Sequence, residues 1–349
     1  MGWFSGLLCV GSVIGAVTWG SLLHTHNIFY EAHAPGIRSQ QFYALNTSVC
    51  QWFAVFYFCY GLQFMCFTCT KLLLLQRLTS DATGHSRSHS AGHTQGCIRA
   101  LPMLFRAMTV AVIVCNAAIM IAYDIAGAYE LRVADLHRRA AAACDDQGND
   151  TFSSLALNQQ AIAVVTQIGH AEAVQSVSEA AVLLIISIAY LVLVPFSIIM
   201  FRAAERLAAR MLLSATDRSD NRDKALMEVR RDVIVADTMH AAAEQRQRLV
   251  AACCVVLVTY PIRAAYDFLQ AYAAVNMSLD PACCQCCSCQ SQQYLVSRWL
   301  MYTPQFQPIV VALSSPLPLA VSMWLVTAAH TRAQAIAIEV TRAGLGGVH

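Results

Sequence analysis

"EAAVLLIISIAYLVLVPFSIIMFR", Glu179 to Arg202, carries no charge between its first and last residues. An apolar run of that length matches about 30 Å of hydrocarbon at a helical rise of about 1.5 Å per residue. The same alternation recurs along the chain. Residues 1–36 hold one charged side chain, Glu31, and Trp299 to Thr331 hold none, whereas Arg202 to Arg248 hold eighteen. Across all 349 residues, 57% are apolar and 13% charged, where soluble domains carry about a quarter charged. The formal net charge of +2 gives no reason to expect a nucleic-acid partner.

Uncharged blocks separated by charged ones describe an all-α fold, a polytopic transmembrane helical bundle with the lipid bilayer as its solvent. Six spans are expected, over about 3–23, 47–75, 107–128, 180–201, 249–272 and 305–329, making one membrane domain of residues 1–349. The first block has no positive n-region and no small-x-small cleavage site, so it reads as a retained helix rather than a secretory signal.

Lysine and arginine set the expected orientation. Lys71 near the inner end of the second block counts with Arg77, Arg87, Arg99 and Arg106 after it, ten more fall from Arg202 to Arg248, and Arg332 and Arg342 lie in the tail. The alternate segments hold Arg38, Arg132, Arg138, Arg139 and Arg298. The positive-inside rule then places both termini in the cytoplasm. Three N-x-[ST] sequons, at Asn46, Asn149 and Asn276, all fall in segments assigned to the outside. Asn149 is the credible glycan acceptor, because the other two lie close to the membrane. This pattern points to a eukaryotic surface or secretory-pathway membrane.

Two polar segments read as helical hairpins. Residues 130–179 turn at "DDQGND" on the outer side, and residues 202–248 turn at "TDRSDNRD" in the cytoplasm, where the pair reads first as a solvated helix pair and second as a docking surface for a cytoplasmic protein. "SDATGHSRSHSAGHTQG", Ser80 to Gly96, reads as a flexible loop. An apparent internal repeat pairs "AYDIAGAY", Ala122 to Tyr129, with "AYDFLQAY", Ala265 to Tyr272. Interfacial tyrosine anchors explain it equally well.

Ionisable groups inside spans are costly and mark function. Arg263 and Asp267 stand one helical turn apart in the fifth block, and Asp124 ends the third. They read either as a structural ion pair or as the polar floor of a cavity for a small-molecule or anionic ligand. Pro195, Pro261, Pro308, Pro316 and Pro318 are expected to kink the last three spans. His85, His89 and His93 are weak metal candidates, since the helices offer no His/Asp ligand set for transport. HExxH, GxSxG and P-loop spacings are absent, so no enzyme is expected and no cofactor is implied.

"CCQCCSCQ" places Cys283, Cys284, Cys286, Cys287 and Cys289 in the last outer segment. On that side disulfides are the default and a Cys₄ zinc site the minor reading. With Cys50 and Cys144 the outer cysteines number seven. One is therefore free or bonds another chain.

The order of features resembles the last six helices of a rhodopsin-like G-protein-coupled receptor. Cys50 at the outer start of the second span and Cys144 in the next outer loop correspond to that family's bridge. Pro195, Pro261 and Pro316 fall where its last three helices carry prolines. "CTKLLLLQRLTSD" lacks the family's Asp/Glu-Arg-Tyr motif, "VTYPI" lacks its Cys-Trp-x-Pro, and "SSPLPLA" matches Asn-Pro-x-x-Tyr only loosely. The resemblance implies a receptor-like, non-enzymatic protein that couples its outer loops to the 202–248 hairpin. The alternative is a small-solute transporter or channel using Arg263, Asp267 and Asp124, and a structural or assembly subunit comes third.

Overall fold

In the computed structural model of the chain, residues 2–34, 36–87, 95–216, 224–279, 306–314, 317–322 and 324 are described. Among them the ordered elements are all helices: α1 Gly2–Ala32, α2 Ser39–Arg87, α3 Gln95–Ala142, α4 Phe152–Thr216, α5 Lys224–Leu279 and α6 Phe306–Ser314. Residues 317–322 are helical as well. Five helices are long and apolar enough to cross a membrane. Within the sixth expected stretch, 305–329, α6 and residues 317–322 are shorter apolar helices.

The helices run well past the boundaries that hydropathy marks. α2 has 49 residues and α4 has 65, about 75 and 100 Å at the helical rise. Each therefore extends far beyond the hydrocarbon it can occupy. α2 begins at Ser39, eight residues ahead of the expected span, and continues through Ser80 to Arg87 where a loop was expected. Pro195 and Pro261 lie inside α4 and α5, and both helices continue through them. Pro308 lies in α6 and Pro318 in the short helix after it, while Pro316 falls outside the described residues.

The helices form two compact units. The first comprises Met1–Lys71, Thr109–Ile185 and Tyr260–Pro316, and the second Leu72–Met108, Ile186–Thr259 and Leu317–His349. Burial in the first unit recurs every seven residues. α2 buries Tyr43, Cys50, Tyr57, Phe64 and Lys71; α3 buries Val112, Ile119, Ala126, Val133 and Ala140. α4 buries Ser154, Ala161, Ile168, Gln175 and Val182, and α5 buries Tyr260, Asp267 and Ala274. A seven-residue repeat is how long helices keep one seam facing their neighbours by knobs-into-holes packing.

The outward faces are apolar too. Val110, Ile113, Val114, Ile121 and Ile125 all project from α3, as lipid-facing side chains should. Small residues bring α2 and α3 together. A Cβ on Gly127 would meet the Phe58 ring at 2.8 Å, so the ring packs directly on the α3 backbone. In the second unit, buried Ala252, Cys253, Val256 and Leu319 form part of the core, and Ser322 Oγ donates to the Ala252 carbonyl at 3.5 Å.

The α3–α4 turn is built by its side chains. Asp145 Oδ1 accepts from the backbone N–H groups of Gln147 (3.0 Å) and Asn149 (2.7 Å), and Gly148 takes φ +80°, a conformation that favours glycine. Thr151 Oγ1 accepts from Ser154 N at 3.2 Å while Ser154 Oγ accepts from Thr151 N at 2.8 Å. This reciprocal cap starts α4. The turn is tied to α2 by Tyr43, whose hydroxyl donates to Asp150 Oδ1 at 2.9 Å, and by Gln40 N, which donates to the Gly148 carbonyl at 3.1 Å.

Candidate functional site

The seam of the first unit carries polar groups where a membrane bundle ordinarily carries Leu and Ala. Arg263 on α5 and Glu179 on α4 are both buried, and Arg263 Nη2 donates to Glu179 Oε2 at 3.3 Å. Tyr60 on α2 bridges them: its hydroxyl accepts from Arg263 Nη2 at 2.7 Å and lies 3.5 Å from Glu179 Oε2. The other Glu179 oxygen accepts from Tyr123 on α3 at 2.6 Å and from Gln175, one turn back on α4, at 2.9 Å. Four helices thus converge on a single carboxylate that is 0% exposed.

Asp267 completes the α5 side. Its Oδ1 lies 2.9 Å from Arg263 Nε, a buried i,i+4 ion pair. That contact is not aligned as a hydrogen bond. Neither Asp267 oxygen has a hydrogen-bond partner among the described residues, nor do Arg263 Nη1 and the Tyr260 hydroxyl. Arg263 also stacks over the Tyr266 ring at 5.2 Å. Lys71, buried on α2, places Nζ 4.6 Å from the centre of the Tyr260 ring, within electrostatic reach of Arg263, Glu179 and Asp267. The centre therefore balances two bases against two acids. In a low-dielectric interior such balance is what makes burial of ions tolerable.

A second acidic group lies two turns along α4. Glu172 accepts a short hydrogen bond from the Tyr57 hydroxyl of α2. Glu130 of α3 is buried, faces the Cys50 thiol, and lies within electrostatic reach of Glu172. Neither Glu172 nor Glu130 has an ion-pair partner among the described residues.

Several expectations change. Asp124 does not join Arg263 and Asp267, because it sits on the exposed face of α3 while its neighbour Tyr123 faces the seam. Lys71 is not a loop base: it is 0% exposed inside α2, so it does not count toward the positive-inside balance. Asn46 is buried within α2 and its side-chain amide donates to the Phe42 carbonyl at 2.9 Å, which removes it as a glycan acceptor. Asn149 stays exposed in the α3–α4 turn. Asn276 lies in the last turns of α5, its side chain outside the described set.

Cys50 and Cys144 are separate free thiols. Cys50 faces Glu130, whereas Cys144 lies beside Asp150 and Tyr43, seven residues back along α2. Seven helical residues span about 10 Å, and a disulfide needs Cα atoms within about 7 Å. Burial and the neighbouring Asp150 carboxylate raise the Cys144 thiol above its ordinary value. Cys283, Cys284, Cys286, Cys287 and Cys289 lie outside the described residues.

His89 and His93 also lie outside the described residues, as does the side chain of His85, which stands in α2. No group of three His, Cys, Asp or Glu with metal-binding placement occurs among the described residues. His26 and His33 are engaged by α1 itself, their Nδ1 atoms at 2.9 Å from the Leu22 carbonyl and 2.8 Å from the Phe29 carbonyl.

Glu179 was missed because it borders an apolar run, where a charge reads as the end of a span, and Lys71 because near the end of its run it reads as a loop base. Their placement was still legible as spacing, since Glu179 lies seven residues after Glu172 and Lys71 fourteen after Tyr57. No family model, curated protein or solved structure matches the chain.

Proposed function

We propose that this chain is a multi-pass membrane protein that carries a small polar solute through its helical bundle, with Arg263, Asp267, Glu179 and Lys71 as the polar centre. One observation carries this reading. Four buried charged side chains gather within helices long enough to cross a membrane, and the centre leaves hydrogen-bonding capacity unused at Arg263 Nη1, Asp267 Oδ2 and the Tyr260 hydroxyl. Ions kept only for structure are stabilised by using every donor and acceptor. A polar solute that accepts from Arg263 and donates to Asp267 would fill these positions while keeping the charge balance.

The reading retains six spans, cytoplasmic termini and a eukaryotic surface or secretory-pathway membrane, supported by the basic segments and the exposed sequon at Asn149. A receptor-like protein acting through the 202–248 hairpin rests on the sequence alone.

Light-scattering of proteoliposomes in iso-osmotic glycerol, glycine or sodium lactate tests the proposal. Swelling faster than protein-free vesicles is expected for at least one of the three. Tyr260→Phe, which keeps the packing, should slow that solute several-fold, and Arg263→Gln should remove the effect. Protein-free rates with all three solutes would refute it, as would an Arg263→Gln rate equal to wild type.

A further inference from the structure

The two carboxylates of the polar centre are not equivalent. Glu179 is fully engaged. One oxygen accepts from Tyr123 at 2.6 Å and Gln175 at 2.9 Å, and the other meets Arg263 Nη2 at 3.3 Å and the Tyr60 hydroxyl at 3.5 Å. Asp267 has a single ion-pair contact, Oδ1 at 2.9 Å from Arg263 Nε, and its Oδ2 has no hydrogen-bond partner among the described residues.

Arg263 divides in the same way. Nε faces Asp267, Nη2 serves Tyr60 and Glu179, and Nη1 has no partner among the described residues. Arg263 is 2% exposed and Asp267 1%, so bulk solvent does not satisfy the unused atoms. Those atoms are held near one another. Asp267 Oδ2 shares a carbon with Oδ1, and Arg263 Nη1 shares a carbon with Nε, the two atoms of the 2.9 Å contact. One small molecule therefore spans both. Tyr260, one turn before Arg263 on the same face of α5, adds an unpaired buried hydroxyl.

Charge sorts the solutes that could fit. An anion would add a third negative group around Arg263, which already meets Glu179 and Asp267. A cation would add a second positive charge beside the guanidinium. A neutral polyol would pair each full charge with a dipole, and charge-assisted hydrogen bonds are about twice as strong as neutral ones. A zwitterion meets each charge with its opposite and leaves the net charge of a buried site unchanged.

We propose that the solute is a small amino acid in its zwitterionic form. Arg263 Nη1 donates to its carboxylate, Asp267 Oδ2 accepts from its ammonium group, and Glu179 fixes the guanidinium between them. The solute class rests on the transport reading above, but binding is measured apart from passage, so the two can fail separately.

Saturation-transfer NMR on the full chain in lipid nanodiscs tests the class with three probes: glycine, acetate and glycinamide. Acetate lacks the ammonium group and glycinamide lacks the carboxylate. Glycine should bind at least about tenfold more tightly than either, since each charge-assisted bond is worth about that factor. Asp267→Asn should weaken glycine about tenfold and strengthen acetate, an inversion that general loosening of the bundle would not produce. The exposed Asp124→Asn should change neither. If Asp267→Asn does not fold, the ranking of the three probes on the wild type decides alone. Acetate or glycinamide binding as tightly as glycine overturns the proposal, as does an Asp267→Asn protein that binds glycine like wild type. Glycerol or lactate swelling the vesicles while glycine does not bind would overturn the class and keep transport. Glycine binding as expected with no swelling in any solute would keep the class and refute transport.

Discussion

Glu172 and Glu179 sit on one face of the same helix, two turns apart, and each accepts from a tyrosine of α2, Tyr57 for the first and Tyr60 for the second. Their surroundings differ in burial and in charge: Glu179 is fully buried and Glu172 only partly so. Glu179 has a guanidinium at 3.3 Å, and Glu172 has none among the described residues. One helix face thus carries a carboxylate held by a cation and, two turns away, one held by a tyrosine without a cation among the described residues. The cation decides how costly it is to disturb the first.

Removing the cation should have the largest effect. Arg263→Met leaves Glu179 and Asp267 buried without it, and loss of one partner from a buried pair costs about 3–5 kcal/mol. Chemical unfolding in detergent should show that loss. A second change, Glu179→Gln, should recover part of it, because the remaining charge is then closer to balance. If the double variant is as unstable as the sum of the two single ones, Arg263 and Glu179 are not energetically paired.

The contrasting substitution should be mild. Glu172→Gln keeps an oxygen that accepts from Tyr57 and breaks no ion pair among the described residues, so the expected change in stability is below about 1 kcal/mol. A loss as large as that of Arg263→Met would mean that Glu172 bears more than its bond to Tyr57, and the contrast would fail. Tyr57→Phe removes the donor and should lower stability by about 1 kcal/mol, measured by the same unfolding curve.

The fold class was legible because charge gaps survive any rotation of a helix. Facing was not. Ala122-Tyr123-Asp124 and Ala265-Tyr266-Asp267 read identically, yet Asp124 is exposed and Asp267 is buried against Arg263. In a soluble protein a polar outer face would show which side of a helix points inward. Here the outer face carries Val110, Ile113 and Ile121, as apolar as the seam, so that guide disappears. What survives is the seven-residue recurrence, visible in α2 as Tyr43, Cys50, Tyr57, Phe64 and Lys71. It went unread because its members belong to different chemical classes. The Arg263–Asp267 pair was legible because four residues along a helix bring two side chains together whatever surrounds them. Glu179 came from another helix, which local spacing cannot see.

Asp145 sets the lower end of the comparison. It is a fully exposed carboxylate that forms no ion pair among the described residues, and its pKa is lowered because the backbone N–H groups of Asn149 and Gln147 donate to it. Water solvates its charge, so backbone hydrogen bonds suffice there. The sign of its pH effect follows directly. A folded pKa below the unfolded value gives stability that is fully present above the unfolded pKa of about 4. That stability is lost as pH falls through the lower folded value. Amide exchange at Gln147 and Asn149 should be slower in wild type than in Asp145→Ala at neutral pH, once intrinsic rates are divided out. The two proteins should converge as pH falls below about 4. The effect should stay confined to the α3–α4 turn. A difference that persists in strong acid would show that the side chain orders this turn without its charge.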